Sequence, residues 1–410
     1  MAAAEEALAN GKLNEAEELG RAALRDDDSL AARLTLAQAL AWQGRGRDAD
    51  AVLAEVDAAT LSEPELMAWA LPRAANQFWM LDEPERATAF LRTTRGHVTS
   101  TPAAATLDAL LGTFAMNAGS PERAMELAGE VLGSADADEQ AIGWAAAAAA
   151  LCNARMGSFG DVDDLAGRAI AAGHPGLLRF TSGFGQTTAL VMSGELDRAQ
   201  SLAQELVDAA EAQQPGHAIG QLLVADVMIA RGDVEQAVPM LEVAAAALAP
   251  TGYSWGPLAW MLLAQALGQS GRVADAGRIL ARAEARHGLK SMLFAPELSL
   301  AKAWTSAARR DVPGAINAAR EAARAAERGG QSAVALRAML DAVRLGDTRA
   351  ADPISRAGAD CVVGRPALDY ARALTAGDES GLNASSAAFA DIGMRGVAAD
   401  AARQAETARR

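Results

Sequence analysis

Residues 194–206 read Gly194-Glu195-Leu196-Asp197-Arg198-Ala199-Gln200-Ser201-Leu202-Ala203-Gln204-Glu205-Leu206. A glycine is followed by an apolar residue at +2, alanine at +5, and further apolar residues at +8 and +12, which is the spacing of one helix face. The phrase recurs along the chain. Gly11 is followed by Leu13, Ala16, Leu19 and Ala23, Gly119 by Pro121, Ala124, Leu127 and Val131, and Gly271 by Val273, Ala276, Ile279 and Ala283. Gly44, Gly157 and Gly232 open further copies, and Asp82, Arg310, Gly346 and Gly377 hold the equivalent place in weaker ones. Neighbouring markers lie 31 to 39 residues apart, so eleven of them tile nearly all 410 positions. A period of this length is the signature of a stacked repeat.

Each marker separates two stretches long enough for four helical turns. A glycine there supplies the positive φ that ends the first helix, and the residues after it start the second. Ser120-Pro121 and Asp82-Glu83-Pro84 read as an N-cap followed by proline in the first turn. Alanine at +5 lets the second helix approach the first, where a larger side chain would hold the axes apart. Composition agrees with this, since hydrophobic residues make up 51% of the chain but aromatic ones only 4%, leaving alanine and leucine to pack helices closely. Helical hairpins cannot bury their faces alone, so neighbours stack into a superhelix with a concave surface. The expected architecture is an all-α solenoid of about eleven antiparallel helix pairs, forming one domain over residues 1–410 with a weaker C-terminal portion over 346–410.

Several function classes lose support at this point. The net charge is -15, and no run of Lys or Arg makes a phosphate-binding stripe, so nucleic-acid binding by this chain alone is not expected. His97, His174, His217 and His287 are isolated, with no paired spacing for a metal. Gly183-Phe184-Gly185-Gln186-Thr187-Thr188 lacks the lysine of a phosphate loop and reads as close helix packing. The carboxylates of Asp163 and Asp164 read as solvated charge. No enzyme activity, metal or cofactor is expected. Cys152 and Cys361 have no C-x-x-C partner and read as buried thiols of a reducing compartment. The opening MAAAEEALANGKLNEAEELG carries acids where a secretory signal needs a basic and then apolar stretch, and the apolar run from Ile142 to Cys152 is about half a bilayer span. A cytoplasmic protein without membrane contact is expected.

The repeat resembles the tetratricopeptide repeat in a slightly long form. That resemblance implies groove-facing positions about 13, 10, 6, 3 and 2 residues before each marker. Carried onto this chain, they give Gln38 and Trp42, then Trp69, Asn76 and Trp79, then Thr113, Met116 and Asn117, then Trp144 and Arg155. Phe184, Thr188, Asp226, Gln265, Gln269, Glu297 and Trp304 follow. The candidate ligand site consists of Trp69, Asn76, Trp79, Thr113, Asn117, Trp144, Arg155, Phe184, Asp226 and Gln265. Five of the seven tryptophans fall at groove positions, beside amide, carboxylate and guanidinium groups. That mixture suits a sugar, which stacks its CH face and pairs its hydroxyls, or a peptide with aromatic anchors. The competing reading has these tryptophans filling gaps between repeats, because a register shift of one residue converts a groove position into a packing one. Trp260 falls at a packing position. Tyr253 and Trp255, in the Gly/Pro-bounded stretch from Pro250 to Pro257, either close over the groove or cover a helix end.

A second resemblance rests on longer segments. Leu293-Phe294-Ala295-Pro296-Glu297-Leu298 leading to Ala303-Trp304, Leu340-Asp341-Ala342-Val343-Arg344-Leu345-Gly346, and Ala387-Ala388-Phe389-Ala390-Asp391-Ile392-Gly393 resemble the sensor region of large LuxR-type regulators, similar in plan to the maltotriose-responsive activator. In that family a STAND-type ATPase precedes the repeats and a helix-turn-helix domain follows them. This chain has neither a phosphate-binding loop nor a basic helix-turn-helix, so the resemblance implies a sensor fragment of a longer regulator in which both domains are expected. The function it implies is sensing of a small effector, a saccharide, in the concave groove. The alternative is a protein- or peptide-binding scaffold. Groove chemistry discriminates them: tryptophan flanked by carboxylates and amides favours a sugar, and a continuous apolar track favours a peptide.

Overall fold

The computed structural model describes residues 2–173, 176–210, 215–358 and 361–409, so His174 and Pro175 lie outside the described residues. These residues form 23 α-helices and no strand. All eleven marker positions carry positive φ, including the two that are not glycine, Asp82 at 57° and Arg310 at 63°. The geometry explains why glycine usually stands there. At Gly194 the amide of Glu195 reaches back to the Leu190 carbonyl (2.8 Å) and that of Gly194 to Val191 (3.1 Å). This double bond pattern satisfies the last carbonyls of the helix and requires a left-handed residue. Alanine at +5 sits where the two axes come closest: Ala124, Ala199, Ala237 and Ala276 are at most 1% exposed.

Serine at a helix start plays two parts that the sequence pattern did not separate. Between pairs, Ser29, Ser100 and Asp138 have extended ψ of 150°, 141° and 170°, and each accepts a bond from the third residue on. Within a pair, Ser120 has ψ 67° and makes no side-chain cap. Its amide is bonded to the Ala115 carbonyl (2.9 Å) and so closes the preceding helix; Asp311, bonded likewise to Ser306 (3.0 Å), also caps the next helix by accepting from the Gly314 amide. Proline does begin the helices Pro121–Leu132 and Pro84–Arg95, where its missing N–H costs nothing.

The alternation changes towards the C-terminus. Gly330 and Gly393 also have positive φ and close their helices with the same pair of bonds. Gly393 leads Ala398, Ala401 and Ala405, all buried, so it carries the repeat phrase shortly after Gly377 and the regular period is lost there.

The solenoid closes upon itself. Asp82 Oδ1 accepts from the Lys290 amide at 3.0 Å and Lys290 Nζ donates to the Trp79 carbonyl at 2.6 Å. Ser332 Oγ donates to the Met156 carbonyl at 2.9 Å, and Arg395 pairs with Asp233 at 2.6 Å. Gly232 and Gly396 meet so closely that a Cβ on Gly232 would stand 2.5 Å from the Gly396 nitrogen. These partners are 162 to 211 residues apart, so consecutive turns of the superhelix are in contact. No helix among the described residues is long and apolar enough to cross a membrane.

Candidate functional site

The curved superhelix forms a cavity of about 1190 Å³, open to solvent on one side, in its N-terminal two thirds. Helices contribute to it at one-turn intervals, as an inward face must. Leu110, Thr113 and Asn117 come from the helix Thr101–Asn117, and Trp144 and Leu151 from Glu139–Met156. The helix Glu63–Ala75 adds Leu71, Pro72 and Ala75, and then continues as a π-helical turn over Asn76–Met80 that brings in Trp79. Tyr253, Ser254 and Trp255, with Leu293 and Phe294, form the opposite wall, and Trp42 stands at one side.

Of the candidate residues, Trp79, Thr113, Asn117 and Trp144 line this cavity, and Asn76 lines a smaller one beside it. The others are placed elsewhere. Trp69 is a packing residue: its Nε1 donates to the Leu53 carbonyl at 2.8 Å, and its ring meets the Phe90 edge at 5.3 Å and Arg73 at 5.1 Å. A π-helical turn takes up about one residue more than an α turn. Counting back from Asp82 therefore loses register before Trp69 is reached. Arg155 is 2% exposed and binds across the superhelix to Gln331 Oε1 (2.6 Å), the Leu293 carbonyl (2.9 Å) and Glu297 (2.8 Å). Asp226 pairs with Arg337 at 3.3 Å, Phe184 packs against Trp255 (5.8 Å) and Phe294 (6.3 Å), and Gln265 is buried in the helix Trp255–Gln269. For Arg155 and Asp226 the reason is the tight curvature: an axis-facing side chain here meets the following turn instead of open solvent. Trp304 donates to Asp341 at 3.1 Å beneath Arg344 and is likewise packing.

Two cavity tryptophans lie where the family offsets gave no firm assignment or a secondary one. Trp255 belongs to the wall, at the first turn of its helix, and Trp42 is 49% exposed at the rim. A Gly/Pro-bounded aromatic pair was the only sequence signal for the Tyr253–Trp255 wall.

The electrostatics of the cavity are plain. No Asp, Glu, Lys, Arg or His is among its described lining residues. Its hydroxyl and amide donors are mostly committed to backbone carbonyls: Thr113 to Ala109 (3.1 Å), Asn117 to Thr113 (2.9 Å), Thr251 to Leu248 (2.8 Å) and Ser254 to Lys290 (2.7 Å). Burial pushes the Tyr253 hydroxyl pKa upward, keeping it neutral. Beyond the cavity, no group of His, Cys, Asp and Glu able to hold a metal occurs among the described residues. Gly183 and Gly185 serve packing, since a Cβ on Gly185 would stand 2.7 Å from the Ala150 carbonyl. Cys152 is buried and its thiol is pushed up to about 12 by desolvation, whereas Cys361 is only partly buried.

The fold is an all-α solenoid of tetratricopeptide type. It is similar to a Rap protein solved in complex with competence and sporulation factor, at 12% identity and TM-score 0.50 over 93% of this chain and 98% of that one. A tetratricopeptide repeat protein from Parabacteroides merdae aligns at 10% identity and TM-score 0.38, over 63% of this chain and 92% of that one. Cut9–Hcn1 of the APC/C aligns at 15% identity and TM-score 0.29, over 99% and 92%. No protein-family model matches the chain, and no curated protein does.

Proposed function

We propose that this protein is a tetratricopeptide-type scaffold that binds a peptide, or a segment of a partner protein, through uncharged apolar and aromatic side chains in the central cavity. The carrying observation is the lining: four tryptophans, a tyrosine and a phenylalanine with no charged group among the described residues. The volume of about 1190 Å³ exceeds the roughly 300–1,000 Å³ of small-molecule pockets, which suits several residues of an extended segment. The exposed amides of Asn10 and Gln140 at the rim are available to its backbone. The Rap protein of like fold was solved holding a factor, which agrees with a binding role.

Saccharide sensing within a LuxR-type regulator, with its ATPase and helix-turn-helix domains, is the second reading, favoured by the tryptophans alone. A sugar would find the donors of Thr113, Asn117, Thr251 and Ser254 already engaged, leaving those groups only to accept from its hydroxyls, and would find no carboxylate. Each unpaired buried hydroxyl is unfavourable, so the peptide reading leads. Calorimetry with a short-peptide library and a panel of mono-, di- and trisaccharides tests it. Peptides rich in aromatic and leucine residues bind, and Trp144→Ala weakens them by about tenfold or more. Saccharide binding at millimolar concentration with no peptide binding overturns the proposal.

A further inference from the structure

The hydrogen-bonding groups of the main cavity divide unevenly. Thr113, Asn117, Thr251 and Ser254 have their donors engaged by backbone carbonyls, and all but Thr251 are at most 8% exposed. The tryptophans are the reverse. Trp79, Trp144 and Trp255 line the cavity; none of their indole N–H groups has a partner among the described residues, and none is shut off from solvent as the Trp260 N–H is. The hydroxyls of Tyr253 and Thr181 are also unpartnered there and can donate or accept. An indole only donates, so the group that completes it is an oxygen carrying no proton of its own.

Backbone carbonyls are such oxygens, and the conformation of a segment decides whether they are free. An α-helix bonds its carbonyls internally. A β-strand brings one N–H for each carbonyl and points its side chains to two faces only. A polyproline II segment has no internal bonds, lacks an N–H at every proline, and turns once in three residues, so its side chains point in three directions. The cavity offers aromatic platforms on three sides: Trp79 and Trp144, then Trp255 with Tyr253 on the opposite wall, and Trp42, 49% exposed, at one side. Charge agrees with this, because N–H edges of partial positive charge meet carbonyls of partial negative charge, and no ionised group lines the cavity among the described residues. We propose that the bound segment is proline-rich and held in the polyproline II conformation, its pyrrolidine rings stacked on the tryptophan faces and its carbonyls accepting from the indole N–H groups of Trp79, Trp144 and Trp255. Proline fixes φ before binding, so less conformational freedom is lost on docking. A sugar hydroxyl at the same indoles would still carry a proton that an indole cannot accept. The inference rests on the peptide reading above and names the class of segment.

The test uses two capped nonapeptides, one of three Pro-Pro-Leu triplets and one of three Ala-Ala-Leu triplets. Each is titrated into the full chain by calorimetry and by NMR of protein labelled at the indole nitrogens. The proline peptide binds about tenfold more tightly or better, the gain of a backbone already in its bound conformation. In its complex the N–H protons of Trp79, Trp144 and Trp255 exchange with water more slowly, as bonding to a carbonyl requires. Those of Trp69 and Trp304, already bonded to Leu53 and Asp341, are unchanged. Equal binding of the two peptides overturns the inference, and so does a complex in which none of the three N–H groups is protected; neither outcome depends on a variant. Aromatic and leucine-rich peptides that need Trp144 and bind more tightly than the proline one leave the peptide reading standing and remove the proline segment. Absence of all peptide binding removes both.

Discussion

Ala237 has no exposed surface because it lies at the closest approach of the helices Gly216–Arg231 and Val234–Leu248. A methyl group is what the gap accepts. Ala237→Leu overpacks the hairpin and lowers stability by roughly 1–3 kcal/mol, read in thermal or denaturant melts against Ala51→Leu, an exposed helical control. An unchanged midpoint would mean that the fifth position is not the contact described. At this scale the sequence was most legible where a backbone conformation selects the residue. Positive φ selects glycine, and axial contact selects alanine, so both leave a periodic trace. Tryptophan leaves none, because it is equally at home in a cavity wall and in a core. Trp69 and Trp79 stand on the same helical run, and a single π-helical turn sends one to the packing side and the other to the cavity. Counting residues from Asp82 cannot detect a change of winding.

Connections between pairs are held by side chains, and Glu63 at the start of Glu63–Ala75 is an instance. Its carboxylate accepts from the Ser100 side chain and from the amides of Thr99 (2.7 Å) and Ser100 (3.2 Å), tying one pair to the next. These bonds hold its pKa down to about 2, against an ordinary 4.5. A carboxylate depressed by folding stabilises the native state above its ordinary pKa, and that contribution is lost as pH falls through the folded value. Glu63→Gln therefore flattens the fall in melting temperature between about pH 4.5 and pH 2, with little pH-dependent difference from the parent near neutrality. Melts across that range check it, and parallel pH profiles for parent and variant would contradict it. Helix pairing was readable from the repeat phrase. Caps were not, because Ser120 and Ser100 look alike in sequence, yet Ser100 caps the next helix and Ser120 closes the one before it.

For the molecule as a whole, curvature decides the site, and curvature is a sum of small rotations that no single repeat records. Arg155 illustrates the outcome, holding Gln331, Leu293 and Glu297 from the next superhelical turn. Arg155→Met strands the largely buried Glu297 carboxylate and costs about 3–5 kcal/mol, and Arg155→Lys does not restore it, since one ammonium cannot reproduce the forked contacts. Small-angle scattering reports an expanded envelope in both variants, and denaturant melts give the loss; an unaltered envelope with parental stability would remove the clasp from the account. The contacts between turns also change how such a chain must fold. An open solenoid is nearly one-dimensional, each repeat gaining from its neighbours alone, so it nucleates anywhere and frays from its ends. Here Asp82 waits for Lys290, and Asp233 for Arg395, so ordering the first turn of the superhelix is rewarded in part only after the second has been laid against it. Long-range closure of this kind raises contact order and slows folding, and it couples the ends to the middle, so that a scaffold built from small repeated units opens and closes as a single cooperative body.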